Sequence, residues 1–204
     1  MNRIANAPTR RYRSALREEQ AEATRGRILD ATIRVMARGL ADVTMPTIAR
    51  EASVSIPTVY RHFRTKRDLL AALQPHLQRR AGIDRIGPPS SIDDLRPTLA
   101  DLIGRMEGLD DLTRAALASP AGDEVRRVHA PGRFRIVRSV ADAVAPELSE
   151  AERDRLARLL VVLTSSSALR VWRDQFQRSV DEIADEIDQA VRAVIACSAV
   201  EARP

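Results

Sequence analysis

Apolar residues recur at helical intervals along most of the chain, and nowhere do they alternate with polar ones as a half-buried strand requires. From Thr24 the positions Ile28, Leu29, Ala31, Thr32, Val35 and Met36 form one broad face, and Gly39 supplies a stop. Thr44 offers an N-cap for a short helix from Pro46 to about Ala52, with Pro46 in the first turn, where no N–H is needed. Ser53, Val54 and Ser55 read as a tight turn, and a second short helix runs from Ile56-Pro57 to about Phe63. Thr65-Lys66-Arg67-Asp68 has the form of a capping box, with Asp in place of Glu, opening a helix through Leu69, Leu70 and Leu73. Gly87, Pro88, Pro89, Ser90 and Ser91 then break the pattern and mark a domain boundary. Beyond it helices are expected from Ser91 and Asp94 to near Gly108, over 110–118, over 122–129, and over 132–145. Ser149 with Glu152 caps a long helix toward Gln175, and Ser179 with Glu182 caps the last, to about Ala199.

The expected fold is therefore all-α, in three parts: a flexible basic arm over 1–21, a small helical domain over 22–82, and a larger one over 90–204. The arm carries Arg3, Arg10, Arg11, Arg13 and Arg17 and almost no apolar periodicity. No apolar run approaches the roughly 20 residues that span a bilayer. The first residues lack the apolar stretch of a secretory signal. A single cysteine, Cys197, excludes an internal disulfide framework and fits a reducing compartment, so the expected location is the cytoplasm.

Charge sharpens this division. Residues 1–80 hold 16 Lys+Arg against 7 Asp+Glu, whereas 81–204 hold 17 against 21. A basic third joined to a mildly acidic remainder points to one module for a polyanion and another with a different task, unless the basic surface is merely solvated.

The stretch 44–63 has the parts of a helix-turn-helix: two short helices joined by a tight turn of small residues. Ile48 and Ala49 would be buried against the preceding long helix, Ala52 would permit close approach, and Val54 would plug the turn. Val59 and Phe63, four apart, form the inward face of the second helix. Ser55, Pro57, Thr58, Tyr60, Arg61 and His62 are left outward, a set rich in hydrogen-bonding groups.

The run TMPTIAREASVSIPTVYRHFRTKRDLLAAL resembles the DNA-binding segment of the tetracycline-repressor (TetR) family of regulators. The resemblance covers about 24–80 and is densest over 44–73. It is carried by Pro57-Thr58-x-Tyr60-x-His62 and Lys66-Arg67-x-Leu69-Leu70-x-x-Leu73. Ser53 departs from it, since the family usually has Gly in the turn, and serine accepts a left-handed backbone less readily. The resemblance implies that Thr44 and Tyr60 bond phosphates, with His62 as a third. It implies that Lys66 meets a phosphate with both its ammonium and its helix-terminal N–H. Pro57, Thr58 and Arg61 would lie nearest base edges, Arg61 being suited to bidentate contact with guanine. Lys66 is the chain's one lysine, all other basic residues being arginine. Each has a plainer alternative: Tyr60 as a packing aromatic, His62 as a surface histidine, Arg61 and Arg64 as solvated charges. The arginine arm either inserts into a minor groove or is a disordered tail.

The family also implies a helical effector-binding domain closed by two final helices that form a four-helix dimer interface. The last helix shows a continuous apolar stripe through Val180, Ile183, Ile187, Ala190, Val191 and Val194. The long helix before it is apolar on more than one side, through Leu156, Leu159, Leu160, Val162, Leu163 and Leu169. Its small-sided run Thr164-Ser165-Ser166-Ser167-Ala168 would permit close helix approach. Candidate interface residues are Leu159, Leu163, Ser167, Ile183, Ile187, Val191 and Val194, the alternative being that both helices pack within one monomer. Candidate effector contacts are Met106, His129, Phe134, Trp172 and Phe176, with Leu109, Leu117 and Val137 beside them. With 3% aromatics, an aliphatic pocket is favoured over an aromatic cage.

The sequence thus reads as a dimeric regulator bound to a near-palindromic DNA operator and answering to an unidentified small molecule, with no cofactor, metal or membrane partner. The rival classes are an architectural DNA-binding protein and an enzyme. His62, His76, His129 and Cys197 lack metal-ligand spacing, and no phosphate loop, nucleophile elbow or catalytic carboxylate pair stands out.

Overall fold

The computed structural model describes residues 8–39 and 43–201, and the described residues are helices joined by turns. The helices are α1 (Pro8–Arg38), α2 (Met45–Glu51), α3 (Ile56–His62), α4 (Lys66–Ala81), α5 (Leu95–Glu107), α6 (Asp111–Ala118), α7 (Pro120–Val144), α8 (Glu150–Leu163), α9 (Ser166–Asp174) and α10 (Val180–Glu201). Two 3-10 turns, 83–85 and 92–94, occupy the expected break between α4 and α5. No described helix is long and apolar enough to cross a membrane.

All three predicted capping boxes form. Thr65 N–H donates to Asp68 Oδ2 at 3.0 Å while Asp68 N–H donates to Thr65 Oγ1 at 3.1 Å. Ser149 with Glu152 and Ser179 with Glu182 exchange the same pair of bonds. Each box satisfies two backbone donors left without partners at a helix start, which is why these starts can be read from sequence.

Three elements differ from expectation. Residues 1–7 of the expected arm lie outside the described residues, but from Pro8 onward it is the first part of α1, not an arm. Nothing between Arg11 and Thr24 interrupts a helix, and Thr24 Oγ1 bonds back to the Gln20 carbonyl at 2.8 Å instead of capping a new start. Side chains 15–23 are exposed, so intrinsic propensity sustains this part of the helix with no core beneath it. The helices expected over 122–129 and 132–145 are one, because α7 runs through Pro131. An interior proline costs about 3 kcal/mol. Packing of α7 against α4 and α8 offsets it. Conversely, the single helix expected to reach Gln175 breaks after Leu163: Ser165 caps α9, its hydroxyl accepting from Ala168 N–H at 3.1 Å. The serine run is a junction, not a helix-approach surface.

Two apolar cores result. The first gathers Ile28, Met36, Ile48, Val59, Phe63, Leu69 and Leu73 from α1 to α4 and also Ala116, Ala121 and Val125 from α6 and α7. The first core thus draws on helices from both sides of the expected break. Asp30, His76, Arg80 and Asp110 tie the same junction: His76 Nε2 lies 2.8 Å from Asp30, and Arg80 pairs with Asp110 at 2.9 Å. The second core joins α5, α7, α8, α9 and α10 around Leu99, Ile103, Leu156, Leu160, Ile183 and Ile187.

Glu51 clamps α2 to α1, receiving Arg34 at 2.7 Å and Arg38 at 2.6 Å. Hydrogen bonds from Arg34 and then Arg38 hold its carboxyl below the ordinary value of about 4.5. A carboxylate more acidic in the folded state adds stability above its unfolded pKa, and that addition disappears as pH falls through the folded pKa. Glu51→Gln should thus be less stable than wild type at pH 7, with the gap in urea midpoint closing progressively below about pH 4.5. A gap that persisted unchanged in acid would show that packing, not charge, makes the clamp.

Candidate nucleic-acid interface

The helix-turn-helix is α2, the turn 52–55, and α3. Thr44 caps α2, its hydroxyl accepting from Thr47 N–H at 3.2 Å, and Pro46 occupies the first turn. Ser53 takes the left-handed conformation, φ 54°, that its position requires. A side chain there costs about 1–2 kcal/mol relative to glycine's freedom, so the turn forms at a penalty that the surrounding core must exceed. Ser55 caps α3, accepting from Thr58 N–H at 3.3 Å, and its hydroxyl also lies 2.8 Å from Thr58 Oγ1.

Val59 (0% exposed) and Phe63 (2%) face inward, which turns the opposite side of α3 to solvent. On that side Ser55, Pro57, Tyr60 and Arg61 are exposed, Tyr60 by 48%, while Thr58 and His62 are half-buried. The structure therefore gathers all the outward-facing candidates of α3 on one edge, with Thr44 exposed at the start of α2. Burial, then the charges of Arg25 and Arg61, push the His62 imidazole below its ordinary value, so at neutral pH it offers a neutral N–H. Arg25 lies over the Phe63 ring, 4.4 Å from its centroid, and donates to the His62 carbonyl at 3.5 Å. Sequence reasoning missed Ile56, which is 42% exposed at the start of α3 and adds an apolar group suited to a thymine methyl. Its place immediately after the N-cap, outside the Val59/Phe63 spacing, was the available signal.

Lys66 is the first residue of α4, where unpaired backbone N–H groups and the helix dipole favour an anion. Its ammonium is not free: Glu124 of α7 lies 3.5 Å away, both side chains being partly exposed. Nothing in the local sequence signals this pairing, because 58 positions separate the two residues.

Between α5, α6 and α9 lies a cavity of about 610 Å³, lined by Met106, Leu109, Leu117 and Leu169 and by charged groups at its mouth. Of the five effector candidates only Met106 lines it. His129 faces α4 instead, its Nε2 3.4 Å from the Leu70 carbonyl. Phe134 packs on the second core. Trp172 also packs there and meets Phe176 at 5.8 Å, and Phe176 is 59% exposed.

The apolar stripe of α10 is corrected in its partner. Ile183, Ile187 and Val191 are 1–2% exposed within the second core, packed with α5 residues, and have no face left for another chain. Leu163, Ser167 and Val194 are half-buried. Leu159 keeps its outward position, 49% exposed, with Val162 beside it at 62%.

Two short capped helices with an exposed polar edge, seated on a helical bundle that holds a cavity, give the architecture of a helix-turn-helix protein. Residues 28–73 match the family described as bacterial regulatory proteins, tetR family. The HTH-type transcriptional regulator SrpR of Pseudomonas putida is 46% identical over 55 residues, a segment that spans 26% of this chain and 26% of SrpR. A TetR transcriptional regulator from Rhodococcus sp. RHA1 superposes with a TM-score of 0.53 at 25% identity, covering 87% of this chain and 98% of that one. A second Rhodococcus regulator gives 0.58 at 20% identity, covering 85% and 97%, a likeness of fold that extends through the C-terminal helices.

Proposed function

We propose that this protein is a sequence-specific DNA-binding transcriptional repressor, acting as a homodimer and released from its operator by a small molecule held in the C-terminal domain. The observation that carries this reading is the exposed edge of α3. Its apolar side is wholly spent on the first core, and its free side presents hydroxyls, a phenol, a guanidinium and an imidazole at the start of a helix narrow enough for a major groove. Thr44, Tyr60 and Lys66 serve phosphates and fix register; Ser55, Pro57, Thr58 and Arg61 lie nearest bases, with His62 as a neutral donor at the edge. A second copy docks on the outer side of α8 and α10, where Leu159, Val162, Ala190 and Ala193 are exposed. Two recognition helices then meet half-sites about 34–36 Å apart on a near-palindromic operator.

Selection from random duplexes tests the reading: a selected operator should bind about a thousandfold or more tighter than unrelated DNA. A purified dimer with no preference would instead be an architectural binder. Within the same assay, Lys66→Ala should weaken binding evenly across sequences and reduce the salt slope by about one, whereas Arg61→Ala should relax one base position by about 1–3 kcal/mol. Glu124→Gln, by freeing Lys66 from its ion pair, should shift affinity the other way. Equal salt slopes for wild type and Lys66→Ala would refute the phosphate role.

A further inference from the structure

The C-terminal two-thirds of the chain is acidic overall, yet its cavity is lined by more arginines than carboxylates. Arg114, Arg170 and Arg173 line it against Glu107 and Asp111. Both carboxylates are already committed: Glu107 pairs with Arg173 at 3.3 Å, and Asp111, 95% exposed, pairs with Arg114. Arg114 is held further by the Glu107 and Leu109 carbonyls, which fixes it in the wall. Arg170 is exposed and makes no hydrogen bond or ion pair among the described residues; Asp174, whose charge it feels, is bonded to Arg173 at 2.7 Å. Arg173 and Arg170 both help keep Asp174 below the usual carboxylate range, the Arg173 bond more than the Arg170 charge.

Two helix starts also border the cavity. Ser119 caps α7 and Ser166 opens α9, and both line the cavity, so two helix N-termini converge on it. Outside the lining, Arg126 bonds Ser166 Oγ at 2.9 Å and pairs with Asp123, whereas Arg133, two turns further along α7, reaches only the Thr164 carbonyl and hydroxyl, both at 2.9 Å. No carboxylate pairs with Arg133; burial and the Arg126 charge push its guanidinium below the ordinary value. A buried cation without a counter-charge, as Arg133 is, is costly and normally paired. The cavity lining is otherwise largely aliphatic, with Met106, Leu109, Leu117 and Leu169.

We infer that this cavity binds an apolar molecule bearing one negative charge, a monocarboxylate in its simplest form, with its chain on the aliphatic lining and its carboxylate against Arg170. The volume, about 610 Å³, suits a molecule of drug-like size. That such a ligand is the effector rests on the regulator reading above; that it binds does not.

Calorimetry on the full-length protein without DNA tests the ligand class, using decanoate, decanol and decyltrimethylammonium as probes. Decanoate should bind about tenfold or more tighter than decanol, the scale of one charge-assisted hydrogen bond, with the ammonium weakest. Arg170→Gln, at an exposed residue without hydrogen bonds, leaves folding intact and should remove most of the preference, and Arg170→Lys should restore part of it. Equal affinities for acid and alcohol, preference for the ammonium, absence of all binding, or an unchanged preference in Arg170→Gln would each overturn the inference. If decanoate binds but leaves DNA affinity unmoved, the ligand class stands and its role as effector fails. If the protein shows no operator preference at all, the regulator reading alone is lost.

Discussion

Replacing Phe63 by alanine is expected to destabilise the protein by about 3–5 kcal/mol, the usual range for a deleted core aromatic, and to abolish DNA binding. Phe63 is 2% exposed, closes α3 with an N–H bond to the Val59 carbonyl at 2.8 Å, and lies in the first core with Ile28, Leu69 and Leu73. Its ring also carries the Arg25 guanidinium, a contact worth about 0.5–1 kcal/mol at a partly exposed site. The loss is a large part of the roughly 5–15 kcal/mol that holds a typical domain together. Because α3 is only seven residues long, it has no independent stability and depends on this anchor. Phe63→Leu, which keeps most of the volume, should retain measurable operator binding. Thermal unfolding followed by circular dichroism reads the effect; a midpoint for Phe63→Ala indistinguishable from wild type would contradict the packing described.

The second large effect is expected at Gly122. A Cβ there would lie 2.2 Å from the Leu117 carbonyl oxygen, 2.7 Å from its carbon and 2.9 Å from the Ala116 oxygen. All three are backbone atoms, so no rotamer change relieves the clash. Gly122→Ala must push the end of α6 away from the first turn of α7, where Ala116 and Ala121 are each 1% exposed. Overpacking typically costs about 1–3 kcal/mol and more where backbone must move, so about 3 kcal/mol or above is expected here. The displaced segment includes Leu117, Ala118 and Ser119 of the cavity wall, and α6 also packs on α1, so ligand affinity and DNA affinity should change together. Gly132, further along α7, has open space on the side where a Cβ would project, with nothing within 4 Å. Gly132→Ala should therefore stabilise by up to about 1 kcal/mol, the helix-propensity gain alone. Urea denaturation of the two variants should give shifts of opposite sign; shifts of the same sign would exclude the α6–α7 contact as the cause.

These two residues also divide what could be read from sequence. The inward pair Val59 and Phe63 follows from a spacing of four, and the outward edge of α3 follows as its complement. The capping boxes at Thr65, Ser149 and Ser179 are local hydrogen-bond arrangements, so a few residues suffice to specify them. Gly122 carries no such signal: nothing in Ala121-Gly122-Asp123 indicates that the carbonyl of Leu117 comes so close. The break at Ser165 shows the converse limit, since a serine run in a strongly apolar segment fits either a small helical face or a new N-cap, and the decision came from packing.

The amino-acid sequence by itself determined the all-α fold, the reader over 44–63 and the inward and outward sides of α3, because each depends on interactions within a few residues. Tertiary structure alone decided that α6 and α7 complete the first core, that Glu124 meets Lys66, that α10 spends its apolar stripe on α5, and which arginines surround a cavity. Those outcomes depend on how helices far apart in the chain pack together, and the apolar stripe of one helix fits more than one partner until the others are in place.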